Sequence, residues 1–466
     1  MTARGAGWWF GGGAAAALAV ALALAAAPAS ANEPDAYGFG SRSSAMGSAV
    51  AADAVDFSAN YYNPAGLVSA PGLELSLGYM YAWNHLRIND RDSGVAPVHG
   101  LVLGIVAPGE ILGIPFAFGI AAHIPDDGLS RVKALRQEVP RWEIYDNRAS
   151  ILFLATNLAV RPFPFLEIGG GLAFLAATQG RFEISGTADV IRPYDSRLRH
   201  EVDADLTTIR YPQAGLRVLL GDLGVVGVTY RGETKLKLAL EAHLEGMVDF
   251  AGIEIPLLYE LESRTIDAFL PQQVVLGASF QAIEGLHVNV DLTFVNWAAY
   301  ESPTARTKAH LEAHPPPGTP LELPADPKPT DVKPPEFEDR FVPRVGVEYL
   351  WPVAGGMRHV AGKARDRRLV EVPLRAGYVY EDSPVPAQSG FTNFVDASRH
   401  TFTIGTGVTL NAPSEEIHGS IHFDVHGELS ILPEVTVTKS NPADFIGDYR
   451  AEGRMLGLGA TLSAVF

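Results

Sequence analysis

The dominant pattern along the chain has a period of two. From Leu73 to Trp83, the residues Leu73, Leu75, Leu77, Tyr79, Tyr81 and Trp83 alternate with Glu74, Ser76, Gly78, Met80 and Ala82. Successive side chains of a strand point to opposite faces, so this ribbon has one oily face and one polar or small face. The alternation returns in Leu286–Phe294, where Leu286, Val288, Val290, Leu292 and Phe294 oppose His287, Asn289, Asp291 and Thr293. It returns again between 417 and 431, with Ile421, Phe423, Val425, Leu429 and Ile431 against His422, Asp424, His426, Glu428 and Ser430. The last strand sets Leu456, Leu458, Leu462 and Phe466 against Gly457, Gly459, Thr461 and Ser463.

A soluble antiparallel sheet also alternates, with its apolar face in a core. Here the polar faces carry full charges: Asp291, Arg344, Glu348, Glu371, Arg375, Asp424 and Glu428. That suits a hydrated lumen, with His422 in the same polar stripe. The apolar faces end in aromatics, at Tyr79–Trp83, Tyr349 and Trp351, Tyr378 and Tyr380, and Phe466. Girdles of this kind mark membrane interfaces. The pattern predicts a transmembrane antiparallel β-barrel, greasy outward and polar inward.

Fourteen strands are expected, at 73–88, 98–107, 114–124, 148–161, 166–186, 203–220, 223–240, 272–283, 287–300, 341–351, 369–380, 399–411, 417–432 and 453–466. An even number is what single-chain bacterial barrels require. Connections mostly alternate long and short. Long loops are expected at 125–147, 187–202, 241–271, 301–340, 381–398 and 433–452, and short turns at 162–165, 221–222 and 284–285. The 352–368 connection breaks the alternation, being long on the short-turn side. The Pro-rich stretch 313–335 reads as a surface loop, because the alternation resumes beyond it.

The two ends of the chain add constraints. Arg4, the apolar run Ala14–Ala27 and an Ala-Ser-Ala ending at Ala31 read as a secretory signal, with residues 1–31 removed. The run is shorter than the ~20 residues of a helical span. The chain contains 0 cysteines, which excludes disulfides, Cys-ligated zinc and thiol chemistry. A formal net charge of −17 argues against nucleic acid as a partner. No cofactor or metal is called for, and a monomer is expected. The strand ending at Phe466 is the expected contact for the barrel assembly machinery.

Residues 32–72 do not alternate. Ser43–Val55 is nearly all Ala, Gly, Ser and Val, enough for a short slim helix. Asp56 or Ser58 is placed to cap a second turn. Pro64 lacks an N–H and restricts Asn63, so Asn63-Pro64 breaks any helix there. A slim, breaker-rich element ahead of the first strand suits a plug in the lumen, and 73–466 then form the barrel.

This region resembles the FadL family of outer-membrane transporters for long-chain fatty acids and other hydrophobic compounds, which includes the TodX-like proteins. The matching residues are Gly38-Phe39-Gly40, Ala45-Met46-Gly47, Ala51-Ala52-Asp53 and Asp56–Leu67, "DFSANYYNPAGL". Further matches lie in "LPQQVVLGASF" (270–280), "VNVDLTFVNWAAY" (288–300), "VPRVGVEY" (342–349), "LRAGYVYEDSPVP" (374–386) and "DASRHTFTIGTGV" (396–408). The resemblance implies an outer-membrane barrel with an N-terminal hatch and passive uptake of a hydrophobic compound. The hatch residues would be Asp56, Phe57, Tyr61, Tyr62, Asn63, Pro64 and Ala65. It also implies lateral release to outer-membrane lipid through a kink in the third strand, at Gly119 or Pro125.

Other signals carry less. His418, His422 and His426 have helical zinc spacing, but on a strand residues four apart lie ~13 Å from one another. Gly169-Gly170-Gly171 is followed by no phosphate-binding Lys-Ser/Thr. Residues 129–139 have the spacing of a small loop helix. A general porin for polar solutes and an outer-membrane lipid hydrolase are the rival functions. The strand histidines His123, His287, His418, His422 and His426 all fall on inward faces, which disfavours the hydrolase.

Overall fold

The computed structural model describes residues 33–126, 139–145, 152–189, 197–250, 253–301, 306–314, 317, 326, 333–360, 366–413 and 419–466. The expected signal segment, the 129–138 part of the expected loop helix, His418 and most of the Pro-rich stretch lie outside these residues. No helix among them is long and apolar enough to cross a membrane.

Fourteen strands close on themselves. They are β1 (Glu74–Ile88), β2 (Val98–Ile111), β3 (Ile114–Pro125), β4 (Phe153–Phe163), β5 (Leu166–Asp189), β6 (Arg197–Leu219), β7 (Val225–Arg231), β8 (Gln273–Ile283), β9 (Leu286–Val295), β10 (Arg340–Arg358), β11 (Arg367–Glu381), β12 (Arg399–Asn411), β13 (Ser420–Val437) and β14 (Tyr449–Val465). Each pairs antiparallel with the next, and β14 pairs with β1 from Val465 opposite Glu74 to Ala451 opposite Ile88. Closure leaves the barrel wall without an edge, so strand backbone groups find partners without water.

Side-chain orientation follows the alternation. Leu75, Leu77 and Tyr79 on β1 are exposed while Glu74, Ser76, Met80 and Ala82 are buried. Strand β9 behaves alike: Val290 and Leu292 face outward, while Asn289, Asp291 and Thr293 face the lumen. Arg375, Asp424 and Glu428 are likewise interior. Two outward aromatic bands bound the oily zone. One, at the short-turn end, holds Phe163, Phe165, Trp351 and Phe466. The other, at the long-loop end, includes the ring pairs Tyr81–Trp83, Phe294–Phe341 and Tyr378–Phe402.

Two expected loops turn out to contain strands. Thr234–Phe250 and Ile253–Leu270 form a hairpin beyond β7, joined on its far side by Arg306–Ala313. The 234–250 strand also runs parallel to the end of β5, from Gly180 opposite Leu240 to Asp189 opposite Asp249. This sheet extends past the barrel, and its strands keep a period of two: Leu236, Leu238, Leu240, Ala242 and Leu244 alternate with Lys235, Lys237, Glu241, His243 and Glu245. The irregular 352–368 connection is resolved by strand extension. β10 and β11 continue pairing to Arg358 opposite Arg367, with bulges at Pro352 and Ala354, and the strand count holds.

Residues 33–72 run inside the barrel as short helical pieces and turns. Ser41–Ala45 and Ala59–Tyr62 are helical, and Pro64–Ser69 is a 3-10 turn. They fit because nine strands present a glycine where the segment passes. A Cβ on Gly104 would lie 2.3 Å from Phe57, on Gly119 2.4 Å from Asn60, and on Gly169 2.4 Å from Pro64. On Gly215 it would lie 2.0 Å from Asn63, and on Gly227 2.4 Å from the Ala51 carbonyl. Gly277, Gly346, Gly377 and Gly405 meet Ala51, Met46, Gly47 and Ala45 within 2.9, 2.4, 2.2 and 2.4 Å. Glycine weakens a strand interior unless another backbone approaches closely, and here one does.

Four of the remaining strands grip the segment by hydrogen bonds. Glu74 on β1 accepts from the Phe57 N–H (3.3 Å), and Asn157 on β4 donates to the Asn60 carbonyl (3.0 Å). Asp291 on β9 accepts from the Ala51 N–H (2.9 Å), and Thr461 on β14 accepts from the Ser41 N–H (3.2 Å).

Overpacking a closed interior costs about 1–3 kcal/mol per site. Gly215→Val and Gly377→Val should therefore push the inner segment off its seat. Trypsin would then cut at Arg42 in the folded, heat-modifiable barrel. Gly427→Val is the control, since its Cβ would meet nothing nearer than Leu458 at 3.4 Å; it should leave Arg42 protected.

Candidate functional site

The motif "DFSANYYNPAGL" folds by local rules. Asp56 accepts from the Ser58 N–H (2.9 Å) and hydroxyl (2.5 Å), closing the turn before Ala59–Tyr62. That helix stops at Asn63, whose backbone is extended at φ −160 and ψ 102. Pro64 then opens the next turn, where its fixed φ suits a first helical position. Asn63 serves both sides. Its Oδ1 accepts from the Ala65 N–H (3.1 Å), and its Nδ2 donates to the carbonyls of Ala51 (2.7 Å) and Leu216 (3.2 Å). Ala65 is fully buried beneath it.

The aromatic members of the motif form one cluster. Phe57 packs on Phe39 (ring centroids 5.5 Å apart), and Tyr61 packs edge-on against Tyr62 (5.1 Å) and Phe153 (5.6 Å). Arg231 lies 4.5 Å over the Tyr61 ring and donates to the Tyr61 carbonyl (3.2 Å). The Tyr61 hydroxyl donates to Asp35, and Phe39 N–H donates to the Tyr62 hydroxyl (2.9 Å).

A chain of ion pairs ties this segment to the wall. Arg42 bonds Asp53 (2.5 Å) and Glu348 (3.1 Å); Arg375 bonds Glu348 (2.5 Å) and Asp424 (2.6 Å). On the other side Glu167 receives Arg217 (2.7 Å) and Arg161 (2.5 Å). Removing one partner of such a buried pair strands the other charge. The His422 ring nitrogens bond hydroxyls, those of Thr409 (3.0 Å) and Ser420 (2.7 Å). No metal-ligating cluster occurs among the described residues.

Gly119 and Pro125 do not interrupt β3. Its ladder with β2 is unbroken from Gly100 opposite Pro125 to Ile111 opposite Ile114, and its ladder with β4 is unbroken through Gly119 opposite Asn157. Gly119 makes room for Asn60, and Pro125 is the last residue of the strand. The missing side chain serves the interior, which a strand read in isolation does not reveal.

Spaces lie on either side of the inner segment. At the long-loop end, a cavity encloses about 980 Å³ of atom-free space, open solvent at its mouth included. One wall is aromatic: Phe269, Trp297, Tyr300 and Phe337, with Tyr300–Phe337 at 4.6 Å and Phe269–Tyr300 at 5.3 Å. The opposite side carries Asp35, Arg344, Glu381, Asp396 and Arg399. Residues 143–145 roof it; Tyr300 donates to Glu143 (2.6 Å), and the Arg141 backbone pairs with the 393–395 segment. A second space of about 580 Å³ continues inward past Asp35, Arg231 and Arg344 to Tyr61 and Tyr62. At the short-turn end, beyond the segment, a polar chamber encloses about 900 Å³ and is lined by Arg42, Asp56, Glu348, Arg375, His422 and Asp424 among others.

Arg344 and Arg231 make no ion pair with a described carboxylate. Arg344 donates to Thr293 (2.5 Å), and Arg231 to Gln273 (2.6 Å). Burial pushes Asp35 above its ordinary carboxylate value, with Arg231 and Arg344 opposing the rise. The period-two alternation does not mark the aromatic wall or the roof of this cavity. Their residues lie on loops or in mixed positions, where no period marks them.

Burial pushes Asp396 up to about 7, against hydrogen bonds from Ser383 (2.7 Å) and the Ala397 backbone. Its other oxygen is buried with no hydrogen-bond partner among the described residues, as suits a protonated carboxyl. A raised folded value means the loop's docking is favoured at low pH and lost as pH rises through about 7. Hydrogen exchange over residues 382–398, corrected for intrinsic rate, should quicken as pH rises from about 4 to about 7 and level off above that. Asp396→Asn should abolish that change.

The fold defines a membrane-type β-barrel whose lumen is filled by its own N-terminal segment. No protein-family model matches the chain, and no curated protein matches it by sequence. Among solved structures it is similar to a Pseudomonas aeruginosa FadL homologue, at 14% identity over 94% of this chain and 97% of that one, TM-score 0.51. It is similar to the Pseudomonas putida toluene transporter TodX at 15% identity, covering 92% and 99%, TM-score 0.50. The CymD monoaromatic hydrocarbon channel is similar at 17% identity, covering 92% and 97%, TM-score 0.51. The chain has the fold of these FadL-type barrels, and these neighbours are transporters or channels rather than enzymes.

Proposed function

We propose that this protein is an outer-membrane transporter of the FadL family, taking up long-chain fatty acids or related amphipathic acids passively through a barrel gated by residues 33–72. The observation that carries this reading is the cavity above the inner segment, aromatic on one wall and floored by arginines that pair with no described carboxylate. An alkyl tail gains ~0.8 kcal/mol per buried methylene, so ~14 methylenes favour an apolar site by about 11 kcal/mol. A water-filled pore would offer such a tail nothing. A series of moderate sites, each weak enough to leave, moves it along.

The arginines favour an acid over a neutral hydrocarbon. Neither Arg344 nor Arg231 is in a direct ion pair among the described residues, so each can donate to an arriving carboxylate, a charge-assisted hydrogen bond that contributes about 1.5–3 kcal/mol. The inner segment would act as the hatch. Its glycine-lined seat keeps the lumen closed to ions at rest, and Asp56, Phe57, Tyr61, Tyr62, Asn63, Pro64 and Ala65 would set the closed shape. Outer-membrane residence is supported by the oily exterior between two aromatic bands.

In cells lacking another fatty-acid importer, expression of this chain should raise uptake of labelled palmitate above the empty-vector level. Arg344→Ala should weaken palmitate binding to the purified barrel about tenfold, equivalent to ~1.4 kcal/mol, and leave toluene binding unchanged. Palmitate binding insensitive to that change would count against the acid reading.

Replacing Asn63 and Pro64 together by Ala removes the side-chain hydrogen bonds of Asn63 and the turn they fix. Planar-bilayer recordings should then show brief ion-conducting openings, whereas the unaltered protein stays closed. A large stable pore in the unaltered protein would instead indicate a general porin.

A further inference from the structure

The hairpin that joins β10 to β11 is the long connection at the short-turn end, and its last paired rows hold three arginines. Arg358 stands directly opposite Arg367 in the ladder, and Arg368 stands opposite Met357. Like charges set opposite each other on two strands repel, and an anion between them removes the repulsion. The acids of the hairpin are otherwise engaged. Asp366 bonds His359 (3.3 Å), and Glu371, 3.8 Å from Arg367, also accepts from Asn411 (2.9 Å). Arg358 and Arg368 make no ion pair among the described residues; Arg368 donates to the Gly355 carbonyl at 3.4 Å. Other short turns at this end are apolar or acidic, as Leu112-Gly113, the Pro-Phe-Pro-Phe of 162–165, Asp222 and Glu284 show.

The outer face of this hairpin continues the barrel face that meets lipid. Arg367 lines the polar chamber, as Glu371 and Arg375 do, so its neighbour Arg368 points the opposite way, on the side of exposed Leu374. Met357 shares that side, because residues paired across two strands lie on one face. Along the partner strand Trp351 is 54%, Val353 49% and Met357 61% exposed. Trp351 belongs to the aromatic band and pairs with Val372, four residues before which stands Arg368. At ~3.3 Å per residue and a ~40° tilt, those residues add about 10 Å of depth beyond the band. The polar layer of a bilayer is ~5–7 Å thick on each side. An arginine stem snorkels back across the difference, which brings its guanidinium to the depth of the lipid phosphates.

We propose that the end of the β10–β11 hairpin binds the phosphate headgroup of an anionic phospholipid in the leaflet on the short-turn side. Arg358 and Arg368 are the donors, and Trp351, Val353 and Met357 meet the lipid's apolar part. Guanidinium pairs with phosphate through charge-assisted hydrogen bonds, and each basic residue beside an anionic surface adds to the attraction. A membrane lipid fits better than a soluble anion, because the apolar side of the site is continuous with the lipid-facing wall. A zwitterionic headgroup brings its own ammonium to the arginines and loses part of the gain; phosphatidylglycerol does not. This inference rests on the outer-membrane reading above and not on what the barrel carries.

Binding of tail-labelled phosphatidylglycerol and phosphatidylethanolamine to the purified full-length barrel in detergent reads the headgroup preference. R358Q/R368Q removes both donors. R87Q/R450Q is the control, since it removes two exposed arginines of the long-loop end, paired there with Glu452 and Asp90. Heat-modifiable migration checks that each variant is folded.

The unaltered barrel should bind phosphatidylglycerol about tenfold more tightly than phosphatidylethanolamine. R358Q/R368Q should lose that preference while keeping palmitate binding, and R87Q/R450Q should retain it to within about twofold. A preference that survives R358Q/R368Q, or falls equally in R87Q/R450Q, would overturn the site. Displacement of the lipid by millimolar inorganic phosphate would make it a site for soluble anions and overturn it too. In cells, Met357→p-benzoylphenylalanine should cross-link to phospholipid; a protein adduct alone would assign the hairpin to an acidic partner protein instead. Failure of palmitate uptake would leave this site standing, whereas recovery of the chain outside the outer membrane would overturn the membrane reading and the site with it.

Discussion

Backbone approaching backbone inside a closed wall is the constraint on which the rest depends. The inner segment carries peptide groups that are not paired in a strand ladder into the lumen, and where they are buried those groups need partners. Glycines at Gly104, Gly215, Gly227 and Gly377 let the segment come close enough for Asn63 to reach the Leu216 carbonyl and for Thr403 to reach the Ala45 carbonyl (2.8 Å). A single methyl at these positions would displace the segment by more than a hydrogen bond tolerates. The same closeness divides the lumen into an aromatic cavity above and a polar chamber below.

Charge distribution builds on that division. The chain Asp53–Arg42–Glu348–Arg375–Asp424 is internally paired and ties the segment to β10, β11 and β13. Arg344 and Arg231, by contrast, lie toward the aromatic cavity without an ion pair among the described residues. A structural network that satisfies its own charges rigidifies; one left open toward a cavity invites a ligand. The two sets lie on opposite sides of the inner segment.

The period-two alternation by itself determined the barrel, its strand number and which face meets lipid, because side-chain direction in a strand is a local property. The breaker chemistry of Asn63-Pro64 was equally local, and the helix does stop there. What only the tertiary structure decided are relations between distant residues. That Gly119 accommodates Asn60, that 234–270 pairs as a hairpin beyond the barrel, and that Phe269, Tyr300 and Phe337 share one wall all depend on closure. Closure brings positions far apart in the chain into contact, and no periodicity in a linear chain encodes which of them will meet.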